Sequence, residues 1–268
     1  MDVPPGKRAQ PKQGRVTTYR GLYDMAEWWA WSEEFEANAI PAYKPFIKAG
    51  DLCFDIGANR GRKTWIMRQL GARVVAVEPL FAFGNEFVPE FQWRWGKDPM
   101  VKAVARAVAP GRSIVLSVNR FMPYVSSMDK AWMTESSHGT SDPKQPYYRE
   151  TSLIERMVPA ITLDGLINIY GVPAFMKVDV EGAENVVFST LSTPVPACNM
   201  EFHRDWIPDG AMRHLERLGQ YKWTYALGNT GTFEMPWATR DGLLATMRKQ
   251  LTDEGPGSWG DIYGRLVE

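Results

Sequence analysis

The stretch LCFDIGANRGRKTWIMRQLGARVVAVE, residues 52–78, holds two short apolar runs, 52–56 (LCFDI) and 73–78 (RVVAVE), on either side of a helix-compatible segment from Arg62 to Leu70. This order, at close to the ~30 residues of a strand–helix–strand unit, predicts two parallel strands joined by a crossover helix. The alternation continues along the chain. Strands are expected near Val101–Val108, Ser113–Val118, Phe175–Glu181, Ala197–Phe202, Trp223–Leu227 and Asp261–Leu266. Helices are expected after Thr162, whose hydroxyl can cap one that carries Asp164 in its first turn, and over Ala183–Leu191, Ala211–Leu218 and Thr239–Gln250. Strands interleaved with helices predict an α/β fold with a mainly parallel sheet covered on both faces.

Open parallel sheets bind ligands at the carboxyl ends of their strands. The first strand ends in Asp55-Ile56-Gly57-Ala58-Asn59-Arg60-Gly61 and the second in Glu78-Pro79. Glu78 follows Asp55 by 23 positions, near the ~20-residue offset at which an acid reaches a ribose after a glycine-rich turn. Such a carboxylate accepts from both ribose hydroxyls and disfavours a 2′-phosphate. The turn lacks G-x-G-x-x-G, and a carboxylate at Asp55 would repel a pyrophosphate. It suits a ligand with an ammonium or sulfonium, and S-adenosylmethionine carries both beside a ribose.

The run FMKVDVEGAE, residues 175–184, reads as a buried strand yet is charged at every second position. Alternate side chains share a face, which puts Phe175, Lys177, Asp179 and Glu181 on one side and Met176, Val178 and Val180 on the other. Unpaired buried charge is very costly, so these groups must pair, meet other polar groups or emerge at the strand end. Gly182 allows a sharp exit there. The tract NMEFH at 199–203 places Glu201 and His203 on a common face by the same period of two, and this chain has only three histidines.

Composition narrows the remaining classes. The chain has 268 residues with 31 Lys plus Arg against 31 Asp plus Glu, so no global basic field advertises nucleic acid or an anionic membrane. Cys53 and Cys198 lie far apart in apolar runs with no C-x-x-C spacing, which points to core residues in a reducing compartment. No apolar run reaches the ~20 residues of a membrane span and the start carries no secretory signal, so a cytoplasmic location is expected.

Residues 1–20 read as a flexible basic tail, followed by a single domain over 21–268 that opens with an amphipathic helix over Leu22–Ile40. Residues 119–159 break the strand–helix rhythm as an insertion: either a surface excursion or a lid with Tyr124, Ser126, Ser127, Trp132 and His138 as possible contacts.

Taken in order, DIGANRG, VVAVEP, ITLDGL, FMKVDVEGAE and NMEFH resemble the FkbM family of S-adenosylmethionine-dependent methyltransferases, a likeness that covers roughly Asp51 to His203. The resemblance implies a Rossmann-like class I methyltransferase fold, with a mostly parallel seven-stranded sheet, helices on both faces and an antiparallel last strand that suits Asp261–Leu266. It implies methyl transfer to a hydroxyl of a sugar, lipid or polyketide-like small molecule. By matching positions, Asp55, Gly57 and Asn59 would line the methionine end of the cofactor, Glu78 would hold the ribose and Thr64 would support the turn from the first helix, with Ala58, Gly61 and Pro79 completing the expected cofactor-binding set. Asp179 and Glu181 would border the reacting centre.

The chain departs from the family pattern at Arg60, Arg62 and Lys63. It also lacks an L-x-x-N run in Phe87–Lys97. The basic residues at 60–63 with Arg204 hint at an acidic or phosphorylated acceptor, or are solvated surface charge.

The catalytic set expected is Asp179, Glu181, His203 and Lys177: Asp179 or His203 as the base, Glu181 and Lys177 orienting the acid and the acceptor. No metal is expected. Asp179, Glu201 and His203 could offer ligands, but that version ranks below direct base catalysis. No nucleic acid partner and no membrane insertion are expected, and the oligomeric state is open. An NAD-dependent oxidoreductase and a noncatalytic binding module on the same scaffold are the competing readings.

Overall fold

A computed structural model of the chain describes residues 32–86, 89–119, 125–135, 153–251 and 259–267. The expected basic tail, and the part of the aromatic helix before Ser32, lie outside the described residues. Ser32 is extended and its hydroxyl accepts from the Phe35 N–H at 3.2 Å, so a fresh helix, α1 (Glu33–Ala37), starts there with acids in its first turn. A second short helix, α2 (Ile40–Tyr43), follows with Pro41 in its first turn. Over the described part of the helix expected at Leu22–Ile40, α1 starts after Ser32 and ends at Ala37, and Phe35, expected on its apolar face, is 49% exposed.

The strand–helix–strand unit forms as expected, with β1 (Leu52–Ile56), α3 (Arg62–Gln69) and β2 (Arg73–Val77), and Leu52 through Ile56 lie opposite Arg73 through Val77 in parallel register. After α4 (Pro89–Trp95), β3 (Val101–Val104) joins the same sheet. Ser113–Val118 does not, although the alternation predicted it. Instead β4 (Ala107–Val108), β5 (Ser113–Asn119) and β6 (Leu153–Ile161) build a separate three-stranded sheet in the order β4-β6-β5, with α5 (Lys130–Glu135) between β5 and β6 in the chain.

The segment predicted as an insertion thus ends in a regular strand. Pro159 and the Glu155-Arg156 pair hid it, because proline inside a run argues against a strand with neighbours on both sides. The structure tolerates it since β4 pairs only at Ala160 and Ile161, leaving Pro159 a partner on the β5 side alone.

The rest of the chain returns to the alternation: α6 (Leu163–Tyr170), β7 (Phe175–Val178), α7 (Glu184–Phe188), β8 (Ala197–His203), α8 (Asp209–Leu218), β9 (Tyr221–Leu227), α9 (Arg240–Gln250) and β10 (Trp259–Leu266). Thr162 and Thr239 cap α6 and α9 by accepting from the N–H groups of Gly165 and Gly242. The main sheet has the order β3-β2-β1-β7-β8-β10-β9, parallel except for β10, which is antiparallel to both neighbours. This is the seven-stranded arrangement that the resemblance implies.

Strict alternation along the strands sends Phe54, Ile56, Met176, Val178 and Met200 into a core shared with Leu163, Phe188 and Leu215. It sends Cys53, Val74, Ala76 and Phe175 to the opposite face, against Ile66, Met67 and Tyr43. Cys53 and Cys198 are buried free thiols. Among the described residues no helix is long and apolar enough to cross a membrane.

Phe54 is fully buried where β1 meets both β2 and β7. Phe54→Ala is expected to cost about 3–5 kcal/mol in urea unfolding. A loss under about 1 kcal/mol would contradict its place in the packed interior.

Candidate active site

The site grows from the adjacent ends of β1, β2, β7 and β8. Asp55 on β1 stands opposite Lys177 on β7, Lys177 opposite Asn199 on β8, and Asn199 opposite Tyr263 on β10. The four polar residues form one row across four neighbouring strands. Asn199 Nδ2 donates to the hydroxyl of Tyr43 from α2 at 3.2 Å.

Lys177 is only 2% exposed and its Nζ donates to Asp179 Oδ2 at 2.5 Å. Burial alone would discharge this lysine, but the charges of Asp179 and Asp55 outweigh it and hold its pKa above the ordinary lysine value. Burial likewise opposes the charged form of Asp179, yet the Lys177 ion pair prevails and keeps this carboxyl below its ordinary range. Lys177 and Asp179 of FMKVDVEG therefore satisfy one another, while β7 stops at Val178, so Glu181 lies past the strand and not on its alternating face.

Beyond β1 the chain turns through left-handed conformations at Gly57, Asn59 and Gly61. A Cβ at Gly57 would sit 1.7 Å from the Asp179 carbonyl oxygen, so only glycine lets the two strand ends approach this closely. The N–H groups of Gly57 and Ala58 donate to Val77 O, tying the turn to β2. Glu78 accepts from Asn59 N at 3.1 Å and from Leu80 N at 3.0 Å, which fixes its carboxylate between the turn and the 3₁₀ segment that opens at Pro79. Burial pushes its pKa up to about 7 against the pull of those two N–H donors.

Thr64, in the first turn of α3, donates its hydroxyl to Asp55 Oδ2 at 2.6 Å. Asp55 Oδ1 is buried with no hydrogen-bond partner among the described residues. Burial raises the Asp55 pKa, with Lys177 and Thr64 opposing. A buried carboxylate oxygen left open beside a glycine turn is a ready acceptor for a cationic donor.

A second group gathers around the β7 and β8 ends. Glu181 adopts a left-handed conformation with φ 56°, and its carbonyl accepts from Ser127 Oγ at 2.6 Å. Glu201 and His203 share a face of β8, with Nε2 and Oε2 3.3 Å apart. Burial raises the pKa of Glu181, and the charges of Glu201 and Asp179 raise it further. Burial and Asp179 do the same to Glu201. The imidazole of His203 is shifted down by burial, against the opposing charges of Asp179 and Glu184. One carboxyl oxygen of each of Glu181 and Glu201 and one ring nitrogen of His203 lie within 4.8 Å of one another.

The structure thus brings together the residues expected at the site: Asp55, Gly57, Ala58, Asn59, Gly61, Thr64, Glu78 and Pro79 around the turn, and Lys177, Asp179, Glu181 and His203 beside it. Of the contacts expected from the insertion, Ser127 reaches the Glu181 carbonyl, and Trp132 packs so closely on Gly182 that a Cβ there would lie 2.3 Å from its ring. Tyr124 and His138 lie outside the described residues.

Arg60, Arg62 and Lys63 are partly exposed and each stands beside a carboxylate. Arg60 lies 3.7 Å from Glu90, Arg62 lies 3.8 Å from Glu36, and Lys63 Nζ donates to Glu36 at 3.2 Å and to Asn229 at 2.8 Å.

Sequence reasoning passed over Glu184 and Asn199. Glu184 is buried and takes the Val180 N–H at 3.1 Å, and burial pushes its pKa up to about 7. The signal for Asn199 was present, since it stands two positions before Glu201 on the same face of β8.

Residues 55–220 match the family description "Methyltransferase FkbM domain", more than half of the chain. No curated protein matches it. Solved structures with a similar course include a precorrin-6Y C5,15-methyltransferase from Geobacter metallireducens (13% identity, 89% of this chain and 93% of that one, TM-score 0.44). They also include an S-adenosylmethionine-dependent O-methyltransferase from Thermotoga maritima (10%, 92% and 72%, 0.41) and a glycopeptide N-methyltransferase in complex with S-adenosylhomocysteine (10%, 88% and 91%, 0.41).

The close approach at Gly57 has a measurable consequence. Gly57→Ala must displace the Asp179 carbonyl, and we expect a thermal midpoint lowered by several degrees together with loss of S-adenosylhomocysteine binding in calorimetry. Wild-type stability and binding in that variant would contradict the geometry of the turn. With residues 55–220 matched, a span that holds the glycine turn, Glu78 and the Lys177–Asp179 strand end, the chain belongs to the FkbM family of S-adenosylmethionine-dependent methyltransferases.

Proposed function

We propose that the protein transfers the methyl group of S-adenosylmethionine to a hydroxyl oxygen of a small molecule, with Asp179 as the base. The observation that carries this reading is the buried Asp55 Oδ1, which has no hydrogen-bond partner among the described residues, in a chain whose adjacent strand ends in the Lys177–Asp179 ion pair. The first suits the cofactor ammonium; Asp179 faces the acceptor. Glu78, already oriented by Asn59 and Leu80, has lone pairs left for the two ribose hydroxyls.

When bound, the cofactor supplies a methyl group activated by its sulfonium. The protein then has to align the acceptor oxygen, exclude water and receive one proton. The hydroxyl proton becomes strongly acidic as the carbon–oxygen bond forms, so a carboxylate with a low pKa is basic enough to take it. Lys177 holds Asp179 in place and ionised, while Glu181 and His203 line the acceptor side and Trp132 over Gly182 shields the strand end. The neutral balance of charge over the chain supports a small acceptor over nucleic acid. The free buried Cys53 and Cys198 support a reducing, cytoplasmic setting.

Asp179→Asn is expected to lower methyl transfer by about 10²–10⁴-fold while S-adenosylhomocysteine binding stays within about threefold of wild type. Full turnover in that variant would remove Asp179 from the reaction. Mass spectrometry of cell extracts incubated with the wild type and this variant identifies the acceptor as the metabolite that gains one methyl with the wild type alone. A product methylated on nitrogen would overturn the hydroxyl reading.

A pH dependence follows from Glu78. Its folded-state pKa of about 7 lies above the ordinary 4.5, and hydroxyl donors favour the ionised form. Below pH 7 the carboxyl must lose a proton before it can accept both hydroxyls, so affinity for S-adenosylhomocysteine should fall by up to about tenfold per pH unit and level off above pH 7. Glu78→Gln is expected to bind more weakly with no such slope. A wild-type affinity flat between pH 5.5 and 8 would contradict the role of Glu78.

A further inference from the structure

We propose that Glu181, Glu201 and His203 bind one divalent cation of the kind that accepts both carboxylate and imidazole ligands, Mn²⁺ or Zn²⁺, on the acceptor side of the site. The role given to the cation below rests on the hydroxyl-acceptor reading above. Donor atoms held at about 2.0–2.2 Å from one cation lie roughly 3 Å apart in adjacent positions and up to about 4.4 Å apart in opposite ones. The three donors here already lie within 4.8 Å of one another, and His203 Nε2 is 3.3 Å from Glu201 Oε2, the separation of two adjacent ligands. A small side-chain adjustment closes the set.

The donors come from two elements whose positions are fixed independently. Glu201 and His203 project from one face of β8, where β10 pins them opposite Asp261 and Trp259. Glu181 lies beyond the end of β7, its carbonyl locked by Ser127. Two carboxylates and one imidazole form a mixed oxygen and nitrogen set, which fits Mn²⁺ and Zn²⁺ better than the all-oxygen preference of Ca²⁺.

Charge balance points the same way. Asp179, Glu181, Glu184 and Glu201 crowd the ends of β7 and β8, with Asp261 opposite Glu201. The cations at hand are already engaged: Lys177 is bound to Asp179 and shared with Asp55, and Lys63 is bound to Glu36 and Asn229. A divalent cation offsets this like-charge repulsion.

Three protein ligands leave open positions for water and the acceptor. A hydroxyl held there is polarised and its proton made more acidic, which lightens the demand on Asp179. The transfer balances: the carbon–oxygen bond forms, the methyl–sulfur bond breaks with its electron pair left on sulfur, and the hydroxyl proton passes to Asp179. An acceptor with a second oxygen on the neighbouring carbon could fill two open positions, which favours vicinal diols and α-hydroxy carbonyl compounds.

The test uses the full chain stripped with chelator, desalted and titrated with MnCl₂ by calorimetry and electron paramagnetic resonance. One Mn²⁺ per chain is expected, displaceable by Zn²⁺. Affinity should fall at least about tenfold in His203→Gln and Glu201→Gln and stay unchanged in Glu155→Gln, whose side chain is exposed on β6. Circular dichroism checks that the β8 variants fold; if they do not, Glu181→Gln, on a half-buried turn residue, carries the same expectation. No stoichiometric binding by the wild type, or wild-type affinity in His203→Gln and Glu181→Gln, overturns the site. Methyl transfer to a hydroxyl that persists in excess chelator, by a protein that binds no Mn²⁺, refutes the cation and leaves the proposed function standing. A protein that binds Mn²⁺ through these residues yet yields an N-methyl product keeps the cation site and refutes the hydroxyl reading.

Discussion

The ammonium of Lys177 sits inside a parallel sheet, where a lone charge would cost several kcal/mol, and the structure around it answers that cost with carboxylates. Asp179 takes the ion pair directly and Asp55 stands opposite Lys177 in register on the adjacent strand. Both acids must therefore stay at the carboxyl ends of β1 and β7. Gly57 must pass beneath the Asp179 carbonyl, since any side chain there would collide with it. Burying one lysine thus holds two carboxylates beside a single turn.

Around that pair the electrostatics divide. On the β1 and β2 side, Asp55 keeps one buried oxygen without a hydrogen-bond partner among the described residues and Glu78 is held by two backbone N–H groups. On the β7 and β8 side, Glu181, Glu201 and His203 gather their side chains, with Asp179 held below its ordinary range by Lys177 beside them. The boundary between them is the Lys177–Asp179 pair itself. Lys63 ties α3 to Glu36 of α1 and to Asn229 after β9, so the helix that carries Thr64 is braced from outside the sheet. A shift of α3 would move the only hydroxyl that orients Asp55 among the described residues.

Much of this could be read from the chain because periodicity and strand-end chemistry are local. The run from Leu52 to Glu78 predicts its own strand–helix–strand unit, whereas the alternation expected over Phe175–Glu181 holds only to Val178, where β7 ends and leaves Asp179 and Glu181 past the strand. The antiparallel β10 followed from the family resemblance rather than from any pattern in WGDIYGRL. Three features were hidden for physical reasons. The second sheet depends on β5 pairing with β6 across a long insertion, a non-local choice that no periodicity encodes, and Pro159 argued against it. The start of α1 after Ser32 was masked by an apolar spacing that continues across it, although serine followed by three acids within four residues is a cap signature. The internal pairing of Arg62 and Lys63 needed Glu36, which lies more than 20 positions earlier and reaches them only through the packing of α1 on α3.

The central claim is that Asp55 presents an open carboxylate oxygen to the ammonium of the methyl donor. Calorimetry of the wild type and Asp55→Asn with S-adenosylhomocysteine and with 5′-methylthioadenosine, which shares the nucleoside but lacks the ammonium, tests it most directly. The wild type should prefer S-adenosylhomocysteine by about 10–100-fold, the worth of one charge-assisted hydrogen bond, and Asp55→Asn should erase that preference. Equal affinity of the wild type for both ligands would contradict the account.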